Sequence, residues 1–275
     1  MADPAADAEV RAADQYLQIL AAIGARADEM GPRPLASHWP YRGSAYRPGG
    51  LLYAGQALDG WDAAVSSARW WASDVATAEG RDRVLAGTQA WHADLPEPLW
   101  GVLQYPWRRG SSFWTLAREV AAAVAPGPGP WHSRIAWANV YPVGHERLES
   151  SGLRAASPSG ALREVQDPHV GRLFASLVEM LDPARVVIVA GPAYWHWAEA
   201  TSALDLHPAP FPLIRSGRRF GRSWVVGDHP SYSRKVGKRY APSGGSNAYY
   251  VQRSCGSSRG WMRSSGPPKS HRAVG

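Results

Sequence analysis

The segment Arg185-Val186-Val187-Ile188-Val189-Ala190 decides the fold class of this chain. It is a continuous apolar run closed by Gly191-Pro192, and such a run is typical of a strand buried on both faces of a parallel sheet. Residues 161–181, just before it, carry apolar side chains at helical spacing and predict an amphipathic helix that ends at Asp182-Pro183. A helix that leads into a doubly buried strand predicts a parallel sheet covered by helices.

Three other segments read as strands of the same sheet, residues 50–54, 133–141 and 224–226. Strands that alternate with helices imply an α/β fold, here three layers (α/β/α) around a central, mostly parallel four-stranded sheet. Residues 32–48 read as irregular, because they are rich in proline, glycine and aromatic residues. The other predicted helices span residues 5–29, 77–86, 113–124 and 193–203.

Length and composition describe a globular protein with room for a real core. The chain has 275 residues, of which 45% are apolar and 19% charged. We divide it into an N-terminal helix and irregular lead-in (1–48), an α/β domain (49–241) and a basic, Ser/Gly-rich tail (242–275) that we expect to be flexible. No internal repeat is visible.

Charge and cysteine content narrow the class of protein. The 30 Lys and Arg against 23 Asp and Glu give a net charge of +7, and eight of the basic residues lie within 215–239. A block of this kind is either a solvated face or a nucleic-acid contact. The single cysteine, Cys255, excludes an internal disulfide framework and a cysteine-rich zinc site. With no signal peptide and no apolar run of about 20 residues, we expect a soluble, cytoplasmic protein.

Polar residues follow the predicted strands at the edge where α/β proteins bind ligands. In parallel sheets the ligand lies beyond the carboxyl ends of the strands. Those ends are residues 55–59, Asn139, Gly191 and His229. No P-loop, dinucleotide-binding, zinc-protease or nucleophile-elbow motif is present.

His229 is the first of these candidates. The strand at 224–226 runs into Asp228-His229-Pro230-Ser231, a proline-stiffened turn followed by cations. The imidazole could donate a hydrogen bond to a base carbonyl and stabilise the departing base anion; the alternative is a turn histidine packed beside Trp224. The hydroxyl and cationic residues behind it are candidates for gripping DNA phosphates, namely Ser231, Arg234, Lys235 and Lys238.

Asn139 and the turn after residue 54 supply the other polar candidates. An amide offers both a donor and an acceptor, so Asn139 could read the edge of a base, or it could satisfy backbone groups at the strand end. Asp59 could orient water and offset positive charge on a sugar, or serve only as a turn-forming Asp-Gly, with Asp62 as the fallback acid. Gln56 could contact the ligand through its side chain, and Gly55 permits close backbone approach.

Several aromatic residues could form a stacking platform for a base. The candidates are Tyr53 and Phe113, and two further candidates are Tyr105 and Trp107. Each of them would alternatively serve as core. The chain has 14 tryptophans, and sequence alone does not separate exposed from buried ones.

Taken together, these motifs resemble the uracil-DNA glycosylase superfamily over about residues 50–235. The turn Gly55-Gln-Ala-Leu-Asp-Gly-Trp61 corresponds to that family's first motif, Asn139 to its base-reading residue, and Asp228-His229-Pro230-Ser231 to its last. The layout is similar to uncharacterised bacterial members that carry a Ser-x-Phe-Trp helix start, here Ser111-Ser112-Phe113-Trp114. The order of the motifs is the stronger part of the likeness.

The resemblance implies a particular chemistry. It implies that a nucleotide flipped out of DNA is bound, and that the bond between base and deoxyribose is hydrolysed without a metal or other cofactor. Asp59 and His229 would be catalytic, and Asn139, Gln56, Tyr53 and Phe113 would bind the base. The expected partner is DNA, and a monomer is expected.

One position departs from the family pattern. Ala57 stands where the family usually has its catalytic Asp, Asn or Glu. Either Asp59 replaces that residue through a shifted turn, or His229 carries more of the rate, or catalysis has been lost. The identity of the base is therefore not determined by the resemblance. A bulkier or modified base, for example in foreign DNA, agrees with the sequence as well as uracil does.

Two other functions compete with a glycosylase. The first is a catalytically weak DNA-binding protein that recognises a modified base, and it would tolerate loss of Asp59 and His229. The second is a hydrolase of free nucleosides or nucleotides. The basic segment 215–239 favours a polymeric substrate over the latter.

Overall fold

The fold is taken from a computed structural model, which describes residues 4–57, 64–66, 68–93, 112–149, 152–156, 158, 160–190, 207–208, 214–219 and 221–227. The described helices are α1 (Pro4–Ala25), α2 (Ala27–Met30), α3 (Ala68–Asp74), α4 (Ala78–Ala93), α5 (Ser112–Val124) and α6 (Ala161–Leu181). A short 3₁₀ helix spans Trp131–Arg134.

The main sheet has a parallel centre and antiparallel edges. It consists of β2 (Tyr41–Arg42), β3 (Leu51–Ala57), β5 (Ile135–Tyr141), β8 (Arg185–Val189), β9 (His207–Pro208), β10 (Ile214–Arg219) and β11 (Arg222–Gly227). Their order in the sheet is β2-β5-β3-β8-β11-β10-β9. The inner strands β5, β3, β8 and β11 run parallel to one another, and β2, β10 and β9 pair antiparallel at the two sides. The predicted parallel sheet is confirmed for its four inner strands, but the prediction of four strands in all was wrong, because three antiparallel strands extend the described sheet to seven.

Helices cover both faces of this sheet. Successive residues of a strand point to opposite sides of the sheet, so each strand packs against helices on both of its faces. Leu51 and Tyr53 of β3 pack in one core cluster with α5. Leu52 and Ala54 pack in the other with α1, α3 and α6. The α/β class with helices on both faces follows from this division.

The N-terminal helix is an integral part of the core. Its buried positions recur at helical spacing and lie against α6 and α3. Gly24 permits the approach of α3, since a Cβ there would lie 2.7 Å from the backbone of Ala72. The buried residues of α1 are Ala8, Ala12, Tyr16, Leu17, Ile19, Leu20 and Ile23.

A second, antiparallel sheet was not predicted. Its order is β4-β1-β6-β7, with β1 at Leu35–Ser37, β4 at Ala64–Ser66, β6 at Val143–Glu149 and β7 at Gly152–Ala156. The expectation that residues 32–48 are irregular was thus wrong, since β1 and β2 lie there. Strands of two or three residues are too short to show a periodic pattern. β6 follows β5 after one residue, Pro142, so this sheet begins at the carboxyl end of β5.

Most long elements agree with the sequence prediction. The helix predicted at 161–181 is α6, and the strands predicted at 185–190, 133–141 and 224–226 correspond to β8, β5 and β11. The predicted helix at 193–203 and the tail after residue 241 lie outside the described residues. Within the described ranges no helix is long and apolar enough to cross a membrane.

Candidate functional site

The carboxyl ends of β3 and β5 lie side by side and form the floor of the candidate site. Gly55 is in register with Asn139, and Ala57 with Tyr141. On the other side of β3, Gly55 is in register with Val189 of β8. The chain passes from β3 to β5 on one side and then to β8 on the other, so the strand order reverses between β3 and β8. Crevices at such reversal points are where open α/β sheets bind ligands.

Asn139 is a buried amide with an unused donor. The residue is only 4% exposed. Among the described residues, its Nδ2 has no hydrogen-bond partner. A buried amide donor without a partner is costly, by about 1–3 kcal/mol, and it calls for an explanation such as a missing ligand.

Gly55 allows two side chains to converge over the strand end. A methyl group added at Gly55 would lie 2.9 Å from Oδ1 of Asn139 and 3.0 Å from Cε2 of Phe113. Contacts this short are not tolerated, so any larger residue would push the amide and the ring apart. Glycine here is what brings Asn139 and Phe113 together.

Phe113 supplies the aromatic surface of the site. It is half-buried at the start of α5, and its ring centroid lies 4.7 Å from that of Trp114 and 4.9 Å from that of Tyr53. The Tyr53 hydroxyl donates a hydrogen bond to the Phe113 carbonyl oxygen at 3.1 Å. Tyr53 itself is fully buried. Tyr53 therefore supports the start of α5 from beneath, and Phe113 is the ring of the two that keeps exposed surface.

Gln56 lies at the same strand end but on the other face. It follows Gly55 directly on β3 and is half-buried. Because adjacent strand residues point to opposite faces, Gln56 belongs to the α1 and α6 side. Asn139, Gly55 and Phe113 therefore form one cluster, and Gln56 is separate from it.

The remaining predicted site residues lie outside the described residues. They are Asp59, Asp62, His229, Ser231, Arg234, Lys235 and Lys238. The strand expected to lead to His229 ends at Gly227, in register with Val189 of β8. β11 thus ends at the same edge of the sheet as β3, β5 and β8, two residues before His229.

A tyrosine and a carboxylate at this edge were missed by the sequence analysis. The Tyr141 hydroxyl donates a hydrogen bond to Oδ1 of Asp167 on α6. The Arg163 guanidinium also faces this oxygen, with its Nε 3.9 Å away. Burial, together with the hydrogen bond to Asp167, raises the pKa of Tyr141 well above its ordinary value. The i,i+4 spacing of Arg163 and Asp167 on a predicted helix was readable, but their contact with Tyr141 was not.

A buried glutamine joins α6 to the chain just beyond Tyr141. Gln166 is fully buried, and its Oε1 accepts a hydrogen bond from the Val143 N–H at 3.1 Å. Its Nε2 donates to the carbonyl oxygens of Val143 and Leu162, each at 3.0 Å. Gln166 and Asp167 together fix the carboxyl end of β5 against α6.

In the parts of the chain that the structure describes, no group of three or more His, Cys, Asp and Glu residues is placed to hold a metal ion. Comparison of the chain with protein-family models and with curated proteins found no match.

Proposed function

We propose that this protein is a monofunctional DNA glycosylase, which hydrolyses the bond between deoxyribose and a flipped uracil-like, damaged or modified base. The observation that carries the proposal is the unpaired, buried Nδ2 of Asn139 beside the half-buried ring of Phe113. Enzymes that act on flipped bases read the base by hydrogen bonds to its edge and by stacking on aromatic side chains. One donor and one ring at the end of a parallel sheet fit that mode of recognition.

The donor indicates which kind of base edge fits. Asn139 Oδ1 lies against Gly55, and Nδ2 is the amide atom without a partner. A donor requires an acceptor opposite it, and a base carbonyl oxygen provides one. A keto base such as uracil, a 5-substituted uracil or hypoxanthine therefore fits better than a base that presents an amino group at this position.

The catalytic roles come from the sequence. We propose that His229 stabilises negative charge on the departing base and that Asp59 positions water or stabilises the positive charge on the sugar. β11 supports the first assignment because it ends two residues before His229, at the edge where Asn139 lies. Ser231, Arg234, Lys235 and Lys238 would hold phosphates, and the net charge of +7 suits a DNA partner.

Release of free base from oligonucleotides tests the proposal. Substrates would carry uracil, hypoxanthine, xanthine, or 5-substituted or glycosylated pyrimidines. Mass spectrometry would detect the base and alkali would reveal abasic sites. We expect Asn139→Asp, which replaces the donor by an acceptor at unchanged shape, to lower the rate about 100-fold or more. The matched control is Gln18→Glu, the same chemical change at an exposed position of α1.

A second candidate, a catalytically weak protein that binds DNA with a modified base, is favoured by one observation. Ala57 ends β3 beside Tyr141, at the position where the resemblance places a catalytic polar residue. Binding that weakens steeply with salt, without release of base from any substrate, would select this function and reject the glycosylase. Base release that persists undiminished in Asn139→Asp would reject the role proposed for Asn139.

A further inference from the structure

The end of β5 carries a carboxylate contact that is assigned no role so far, on the α1 and α6 face of the sheet and not on the face of Asn139 and Phe113. Both faces border the edge at which the parallel strands end. The Tyr141 hydroxyl is hydrogen-bonded to Asp167, and Tyr141 is in register with Ala57 at the end of β3. Tyr141 lies two residues beyond Asn139, which is about 7 Å along a strand. Asp167 is thus tied to the strand end that carries the proposed base-reading amide.

The direction of α6 puts Asp167 at the ligand-binding edge. α6 ends at Leu181, and the chain then enters β8 at Arg185, the amino end of that strand. α6 therefore runs antiparallel to the parallel strands, and its first two turns lie at their carboxyl ends. The contacts of Gln166 with Val143 and of Asp167 with Tyr141 fix this placement.

The Asp167 side chain meets solvent. It is 34% exposed, so it is neither buried in the core nor fully solvated. The Arg163 guanidinium and the Tyr141 hydroxyl both contact its carboxylate. The Arg163 guanidinium also lies 5.8 Å from the centre of the Tyr141 ring, which holds the three residues as one cluster.

Hydrolysis of a glycosidic bond needs negative charge close to the sugar. As the bond between C1′ and the base nitrogen breaks, its electron pair leaves with the base and the sugar becomes positively charged. Water then forms a bond to C1′ and gives up a proton. A carboxylate at the end of the strands can stabilise the sugar cation and accept that proton.

We infer that Asp167, held by Tyr141 and Arg163, is a further catalytic residue that supplies this carboxylate at the sugar. The inference rests on the proposed glycosylase function. It adds a residue of α6 to a mechanism so far assigned to Asp59 and His229. Water loses its proton to Asp167, and the released base anion takes a proton from solvent.

The test uses DNA in which the sugar itself is replaced, so it does not depend on the identity of the base. One duplex carries a cationic pyrrolidine in place of the deoxyribose, and the other carries neutral tetrahydrofuran. We expect the wild-type protein to bind the cationic duplex about tenfold more tightly or better, and Asp167→Asn to lose that preference while it binds the neutral duplex normally. Asparagine still accepts the Tyr141 hydrogen bond, so the fold is retained.

Three further variants separate catalysis from structure. Asp167→Glu keeps the charge and should restore part of the preference, and Tyr141→Phe should reduce it only in part. Glu179→Gln removes a carboxylate from the far end of the same helix, where it pairs with Arg11 at 2.8 Å, and should change nothing. Base release should fall about 100-fold or more in Asp167→Asn.

Two results would overturn the inference in different ways. If wild-type protein releases base, but Asp167→Asn keeps both the rate and the preference for the cation while Asp59→Asn loses them, the glycosylase stands and Asp167 has no catalytic role. If wild-type protein neither releases base nor binds either sugar analogue, the proposed function fails, and the inference fails with it.

Discussion

Two buried amides lie near the carboxyl end of β5, and they are treated in opposite ways. Gln166 is fully buried and makes three hydrogen bonds, one accepted and two donated. Asn139 is 4% exposed, and its Nδ2 finds no partner among the described residues. The two side chains have the same functional group and similar burial, so depth does not explain the difference.

The difference separates a structural amide from a binding amide. The Gln166 amide pairs with Val143 as a neighbouring strand would, because it forms hydrogen bonds with both the N–H and the carbonyl of that residue. It thereby links β6 to α6. The Nδ2 donor of Asn139 stays without a partner at the site, which lowers the stability of the free protein. A bound ligand that brings an acceptor would offset this loss. Stability should therefore depend on Gln166 and hardly at all on Asn139. Four substitutions test this contrast, in order of their expected effect on the free energy of unfolding.

Gln166→Leu should have the largest effect. It keeps the volume but leaves the N–H and carbonyl of Val143 without partners in a dry region, so we expect a loss of about 3 kcal/mol or more. Urea unfolding at neutral pH measures it, with the exposed Gln18→Leu as control. A loss below about 1 kcal/mol would mean that water enters and takes over these bonds.

Gly55→Ala should have the next largest effect. The added methyl group meets Asn139 Oδ1 at 2.9 Å and the Phe113 ring at 3.0 Å, so one of them must move, at a cost of about 1–3 kcal/mol. We expect base release to fall in parallel, because the amide and the ring no longer converge. Thermal unfolding and base release, measured on the same preparation, check both effects; unchanged activity would show that the convergence is not needed.

Tyr141→Phe should cost about 1 kcal/mol at neutral pH, since it removes the hydrogen bond to Asp167. It should also change the dependence on pH. The pKa of Tyr141 is raised above its ordinary value of 10.0 in the folded protein. Above pH 10 the unfolded chain therefore loses a proton that the folded protein keeps, and the free energy of unfolding falls as the pH rises.

The alkaline fall should be shallower in Tyr141→Phe than in the wild type. Urea unfolding at several pH values from 7 to 11 measures this slope. Tyr46→Phe is the matched variant for comparison of the slope. Burial also raises the pKa of Tyr46, whose hydroxyl donates a hydrogen bond to the Leu181 carbonyl oxygen at 2.8 Å. Equal slopes in wild type and Tyr141→Phe would contradict the raised pKa.

Asn139→Leu should have the smallest effect on stability. It removes an amide with an unpaired donor and keeps a similar volume, so we expect the free energy of unfolding to stay within about 1 kcal/mol or to rise. Base release should be lost. Destabilisation as large as that of Gln166→Leu would place Asn139 with the structural amides and remove the main support for the binding site.

Long elements of this fold could be predicted from the sequence, and short ones could not. The apolar run at 185–190 and the helical pattern at 161–181 found β8 and α6 because each repeats a local signal many times. β1 and β2 have three and two residues, and they form only because they pair with strands far along the chain. Pairing of that kind depends on tertiary structure and leaves no periodic mark.

The candidate site shows the same limit. Asn139 could be placed at a strand end because β5 carries an apolar pattern, and Phe113 at a helix start because Ser112 precedes it. Tyr141 and Asp167 are 26 positions apart in the sequence, and their contact depends on how α6 is rotated against β5. The sequence also did not show that Tyr53 lies beneath Phe113, since both are aromatic and near the predicted edge.

The packing of α1 against α6 has a consequence for how the protein is made. At a synthesis rate of about 5–20 residues per second, about 8 to 30 seconds pass between the synthesis of the end of α1 and that of the end of α6. During that time the apolar face of α1, including Tyr16 and Ile19, lacks the helix that buries it in the finished protein. A nascent chain arrested before residue 161 should therefore be a better chaperone substrate than one arrested after residue 227.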